Sequence, residues 1–159
     1  MSGEEVVPAK KKRKGTKDER LKRSQVLLDV TRRCASLANI QDVWKELVSM
    51  TSYELDCDRG TLFLNDNETN ELFSFVAQGN LTREIRILND SGIAGHVFQT
   101  GQAMLSDNPY EDPLFNREVD QRTGYTTRNI ACVPVRTMAG EKIGVMQTLN
   151  KRLGEFNDD

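Results

Sequence analysis

From Asp18 onward, apolar residues fall at helical spacing. Leu27, Val30, Cys34 and Leu37 recur every three or four positions and leave Arg32 and Arg33 off the stripe. So narrow a seam suits a partner helix, as in a coiled coil, or packing against its own domain. Asn39 is a good cap for a second helix, in which Trp44, Leu47, Val48, Thr51 and Leu55 share a face. After Asp58 the period drops to two. Residues 59–65 and 72–78 read as strands joined by the polar turn NDNETNE, and 83–88 as a third strand.

Ser91 then opens a short helix with Ile93, Val97 and Phe98 on its apolar side and Gly101 just past its end. An edge strand at 103–106, a loop from Asn108 to Pro113 and a short helix from Phe115 to Arg122, stopped by Gly124, come next. Strands 129–137 and 142–149 flank a turn at Ala139–Gly140. The Pro134 ring cannot donate to a ladder, so its N–H side should meet an edge or a bulge. Antiparallel neighbours with helices gathered on one side make this an α+β fold.

Composition narrows the class. Of 159 residues, 37% are hydrophobic and 29% charged, enough for one domain with a real core. No apolar run approaches the roughly 20 residues of a membrane span, and the basic start lacks the apolar stretch of a secretory signal. The three cysteines, Cys34, Cys57 and Cys132, form no CxxC pair, and His96 is the only histidine. Reduced thiols are expected, with neither a metal site nor a disulfide. The net charge of −2 hides an asymmetry: residues 1–24 hold nine Lys and Arg against four acids. The run AKKKRKG reads as a disordered tail (residues 1–17) or a nuclear-import signal, and the acidic remainder argues against nucleic-acid binding.

Candidate chemistry gathers at three places. On the last strand Gln147 shares a face with Ile143, Val145 and Leu149, so an amide sits on an apolar surface and needs a partner, protein or ligand. Thr61 repeats the case beside Phe63, and Gln78 ends the alternation of the second strand. In SGIAGHVFQTG, a helix start with unpaired N–H groups and small residues invites a phosphate, although the glycines also suit a plain tight turn. In TGYTTRNI, Thr123, Thr126 and Thr127 follow a short helix, where their hydroxyls bond either a ligand or local backbone. Arg128 is expected to pair with an acid such as Asp120.

These segments occur together with CDRGTLFL, VAQG, EIRI, DPLFNREVDQRTGYTTRNI, VPVR and IGVMQTLNK. In this order they resemble the GAF domains of cyclic-nucleotide phosphodiesterases and of bacterial class III adenylyl cyclases. The resemblance covers roughly Gln41 to Phe156 and implies a GAF-like domain over 18–159. It implies a central antiparallel sheet of about six strands, helices on one face, and a ligand pocket under a lid on the other. It brings Arg59 and Thr61 to the purine, with Ala77 and Gln78 beside it. The backbone of Ile93 and Ala94 would hold the cyclic phosphate, Thr123 and Thr127 would lie in the lid, and Gln147 would face the ligand from the sheet. Catalytic residues, metal and cofactor are not implied; the ligand is cAMP or cGMP. Amides at 78 and 147 suit adenine, which favours cAMP.

The family motif beginning with Asn150 and Lys151 and continuing to Phe156 is followed in relatives by DE and a final helix, so a fragment of a longer signalling protein is expected. The implied role is a non-catalytic regulatory module of the cytoplasm. It would be covalently attached to an effector such as a cyclase, phosphodiesterase or kinase, and a homodimer through its N-terminal helix. Two alternatives stand beside it: a dimerisation platform without nucleotide affinity, and a thiol-dependent methionine sulfoxide reductase using Cys57.

Overall fold

The computed structural model describes residues 16–79 and 84–156. The basic run at 10–14, the start of the third expected strand and residues 157–159 lie outside them. The chain divides into two compact units, Met1–Ser36 and Leu37–Asp159, a boundary that the sequence reading of one domain over 18–159 does not draw.

Among its described residues the first unit carries one helix, α1 (Lys17–Ala35). Its entry is a full capping box: the Thr16 hydroxyl accepts from Glu19 N–H, and the Glu19 carboxylate accepts from Thr16 N–H. No residue of α1 is buried, and Leu27 of the expected seam is 66% exposed.

The second unit is built on a six-stranded antiparallel sheet. Its strands are β1 (Cys57–Asp66), β2 (Glu71–Ala77), β3 (Arg86–Leu88), β4 (Met104–Ser106), β5 (Ile130–Arg136) and β6 (Lys142–Lys151). They lie in the order β3-β2-β1-β6-β5-β4. The two long central strands, β1 and β6, are hydrogen-bonded from Cys57↔Lys151 to Leu64↔Gly144. Pro134 sits where expected. β4 pairs only with Ile130–Cys132, so β5 has no partner beside the proline on that flank, and a register shift follows at Val135/Arg136.

Helix α2 (Ile40–Glu54) begins at Asn39, whose side chain accepts from Asp42 N–H as the sequence led us to expect. It packs on one face of the sheet through Val48, Met50 and Ser52. Close approach is possible because β1 carries Gly60 beneath it. A Cβ there would stand 2.4 Å from Ser52 Oγ and 2.9 Å from Val48 Cγ1. The opposite face holds the main core, in which Phe63, Leu72, Cys132 and Val145 meet Ile93, Val97 and Phe98 of α3 (Gly92–Thr100). α3 stops at Gly101 and α4 (Arg117–Thr123) at Gly124, both in the left-handed conformation. The expected loop at 108–113 contains a 3-10 turn, Pro109–Glu111.

Candidate functional site

Strand register builds the floor. Ala77 of β2 lies opposite Thr61 of β1, Thr61 opposite Gln147 of β6, and Gln147 opposite Cys132 of β5. One row therefore crosses four strands on the face that carries α3. Thr61 is buried and Gln147 half-buried. The Gln147 amide lies beside the Cys132 thiol, its register partner on β5. Burial pushes that thiol up to about 12, and the amide's hydrogen bond pulls it the other way. Gln78 turns back onto β1: its N–H donates to the Gly60 carbonyl at 3.0 Å, and its Oε1 accepts from Gly60 N–H at 2.7 Å. The Arg59 guanidinium lies 3.9 Å from the centroid of the Tyr125 ring. Gly79, at φ 106°, backs this slot, since a Cβ there would stand 2.8 Å from Arg59 Cζ.

One wall is the start of α3. Ser91 holds the N-cap position, but its side chain makes no capping bond, so the capping hydroxyl expected from the sequence is absent while the helix start is correct. The other end of α3 is served by cations. Lys142 Nζ donates to the Gln99 carbonyl at 2.6 Å and Arg136 Nη2 to the Gly101 carbonyl at 2.9 Å. The negative end of the helix is thus offset by two positive side chains, and its positive end, with Ile93 and Ala94, borders a cavity.

The roof is the segment 107–129. Its organising residue is Asp120 of α4, which is buried. Oδ1 accepts from Thr127 Oγ1 at 2.8 Å; Oδ2 accepts from Thr127 N–H at 2.7 Å and from the Tyr110 hydroxyl at 2.9 Å. The Tyr110 hydroxyl is raised chiefly by that bond to Asp120. Arg117 donates to the Tyr110 carbonyl and lies over its ring. The sequence expectation that Arg128 pairs with Asp120 is corrected: the carboxylate is taken by Thr127 and Tyr110, and the Arg128 side chain is exposed. Thr123, left open between ligand and backbone, bonds backbone, donating to the Val119 carbonyl at 2.8 Å.

Two adjoining cavities lie between floor, wall and roof. The larger, about 60 Å³, is lined by Ile93, Ala94, Thr127 and Gln147 among others; the smaller, about 40 Å³, by Arg59, Thr61, Gln78 and Thr123 among others. Val119, Asp120 and Leu149 border both and divide them. Eight of the nine candidates thus come together, and Ala77 joins them through its register with Thr61. Asp120 and Tyr125 were missed as pocket residues. Asp120 stands seven positions from Thr127, with no periodic signal linking them, and only its nearness to a threonine-rich turn hinted at a hydroxyl partner.

Cys57 is buried and its thiol is raised, mainly by burial. Among the described residues no helix is long and apolar enough to cross a membrane.

Comparison with known proteins agrees with the fold. The family model described as GAF domain matches residues 39–159. The chain is 34% identical over 148 residues to a probable 3',5'-cyclic phosphodiesterase, pde-5, of Caenorhabditis elegans, covering 85% of the chain and 20% of the relative. It is 29% identical over 153 residues to the dual 3',5'-cyclic-AMP and -GMP phosphodiesterase 11 of Drosophila melanogaster, covering 86% and 10%. It therefore spans a fifth or less of these relatives' length. Among solved structures, the GAF domain of a phosphoenolpyruvate-protein phosphotransferase from Coxiella burnetii superposes with a TM-score of 0.76 at 17% identity, covering 85% of this chain and 81% of that one. The free methionine-R-sulfoxide reductase of Neisseria meningitidis gives 0.71 at 18% identity, covering 91% and 82%. Likenesses at such identities concern the fold alone.

Proposed function

This chain belongs to the GAF domain family, and on that premise we propose that it binds a cyclic nucleotide, cAMP in preference to cGMP, between sheet and lid. A GAF domain of this kind is a regulatory ligand-binding module. The observation that carries the ligand reading is the convergence of Thr61, Gln78, Ile93, Ala94, Thr127 and Gln147 on two cavities under one roof. The uncapped start of α3 suits the cyclic phosphate, because free N–H groups and the helix dipole both favour an anion there. The row Thr61–Gln147 suits the base.

The cavities are far below the roughly 300 Å³ of an ordinary small-molecule site, so a nucleotide enters only when Val119 and Asp120 lift from Leu149 and the two spaces merge. Preference for adenine follows from which polar groups remain available. The Gln78 carbonyl is engaged by Gly60, leaving its amino group to face the N1 and N7 acceptors of adenine. Guanine needs an acceptor for its N1 and N2 hydrogens, and the one carboxylate bordering both cavities, Asp120, is already shared by Thr127 and Tyr110. Closure of the lid would bias whatever effector follows, in the cytoplasm, with the homodimer formed through α1. Thiol chemistry is disfavoured, since burial pushes both Cys57 and Cys132 away from the thiolate.

Isothermal titration of the chain with cAMP and with cGMP tests the reading. We expect saturable heat with both and tighter binding of cAMP. Gln147→Ala should weaken cAMP about tenfold, while Thr123→Ala should weaken it less, its hydroxyl being held by backbone. Absence of heat with both nucleotides on folded protein would sink the proposal.

A further inference from the structure

The two ends of the lid are held by different forces. Among the described residues, the hydrogen bonds that tie 107–129 to the rest of the fold gather at its C-terminal end. Their centre is Asn150, at the end of β6, 1% exposed and in the left-handed region at φ 56°. Its Nδ2 donates to the Tyr125 hydroxyl at 2.8 Å and to the Thr126 carbonyl at 2.9 Å. Its Oδ1 accepts from Arg128 N–H at 2.6 Å, and the Tyr125 hydroxyl donates onward to Asp58 Oδ2 at 2.9 Å. Asn129 adds a further tie, accepting from Lys151 N–H at 2.8 Å.

The front of the lid is different. Its hydrogen bonds are internal, from Tyr110 and Thr127 to Asp120 and from Arg117 to Tyr110. It meets the body by packing: Phe115 sits against the core cluster, and a Cβ on Gly92 would stand 3.3 Å from Asn116 Cβ. The segment is thus tied internally by hydrogen bonds and bonded to the body through side chains at its C-terminal end, while its front is held by the chain leaving β4, by the buried Pro109 and by apolar contact.

We propose that Asn150, Tyr125 and Asp58 are the fixed hinge of the lid, and that residues 108–116 are the end that opens over the start of α3. Asn150 and Tyr125 are then positioning residues for ligand retention. This rests on the ligand reading for its purpose, but the motion is a property of the free chain. Asn150 → Tyr125 → Asp58 is a continuous donor chain in which the hydroxyl uses both of its roles, so removing that one oxygen breaks both links. The ring and its stack on Arg59 stay in place.

Hydrogen exchange followed by mass spectrometry, on the full chain without nucleotide, is the test. Amides at 125–129 should exchange at least tenfold more slowly than those at 108–116. Tyr125→Phe should speed exchange across 120–129 about fivefold to tenfold, the loss expected for one or two hydrogen bonds, with α2 and the β1–β2 hairpin unchanged. Rescue by Tyr125→Phe/Asn150→Asp is not expected, since the donors of Asn150 are lost as well. Equal protection at the two ends, or an unaltered profile in Tyr125→Phe, would overturn the hinge. Asn150→Ala should act in the same direction and more strongly; if it fails to fold, Tyr125→Phe still decides. Where cAMP binds, Tyr125→Phe should raise its dissociation rate and leave association unchanged, a split that general destabilisation would not produce. Failure of both nucleotides to bind would remove the ligand reading, and the exchange profile would still decide the hinge.

Discussion

The floor and the roof of the pocket are built from opposite materials. The floor is backbone: β1 and β6 pair along most of their length, and Phe63, Cys132 and Val145 fill the space against α3. The roof is side-chain chemistry, in which one carboxylate collects two hydroxyls and an amide. A ladder of main-chain bonds has one register and resists change. A carboxylate with three donors is a local arrangement that can travel with its segment. The lesson is that this pocket has one half held by backbone and one held by side chains.

The harshest way to break the comparison is to damage the floor. Phe63→Ala should cost about 3–5 kcal/mol through lost burial and the remaining cavity, seen as one cooperative shift of the urea midpoint. Damage to the roof should be smaller and local. Asp120→Ala leaves the Thr127 amide and hydroxyl and the Tyr110 hydroxyl without their acceptor, a loss of about 1–3 kcal/mol. Exchange at 117–128 should rise at least tenfold while the urea midpoint moves less than in Phe63→Ala. Equal midpoint shifts in the two variants would mean that roof and floor unfold as one.

The finest probe is pH. Burial, then the bond to Asp58, pushes the Tyr125 hydroxyl up to about 12, against about 10 for an ordinary tyrosine. A folded value above the unfolded one means that its contribution is fully present below pH 10 and is lost as pH rises toward 12. Absorbance titration should therefore show late phenolic transitions from both Tyr110 and Tyr125, of which Tyr125→Phe removes one. Over the same window the midpoint of the wild type should fall more than that of the variant.

The floor was legible in the sequence because its signal is periodic. Alternation at Thr61–Phe63 and at Val145–Gln147–Leu149 states which side chains share a face, and Asn39, Gly101 and Gly124 mark helix ends by the conformations they tolerate. The resemblance then supplied the names of the pocket residues. Much of the roof was not legible. Asp120 meets Thr127 across a helix end and a turn, and Asn150 reaches back from another strand to Tyr125 and Arg128. Such partners are chosen by three-dimensional proximity, and neither spacing nor propensity encodes them. Arg128 shows the cost: charge alone suggested a pair with Asp120, whereas the structure gives that carboxylate neutral donors, two hydroxyls and an amide.

Phe115 carries a consequence of its own. Because the front of the lid rests on this ring and not on hydrogen bonds to the body, closing it is a transfer of apolar surface out of water. Such transfer is driven mainly by entropy near room temperature and weakens on cooling. A lid that opens at this front, as proposed, would have a thermal character distinct from the sheet beneath it: its grip would loosen in the cold, and its closure would carry a negative heat-capacity change. With the proposed lid, temperature as well as ligand would set how much of the time this pocket is open.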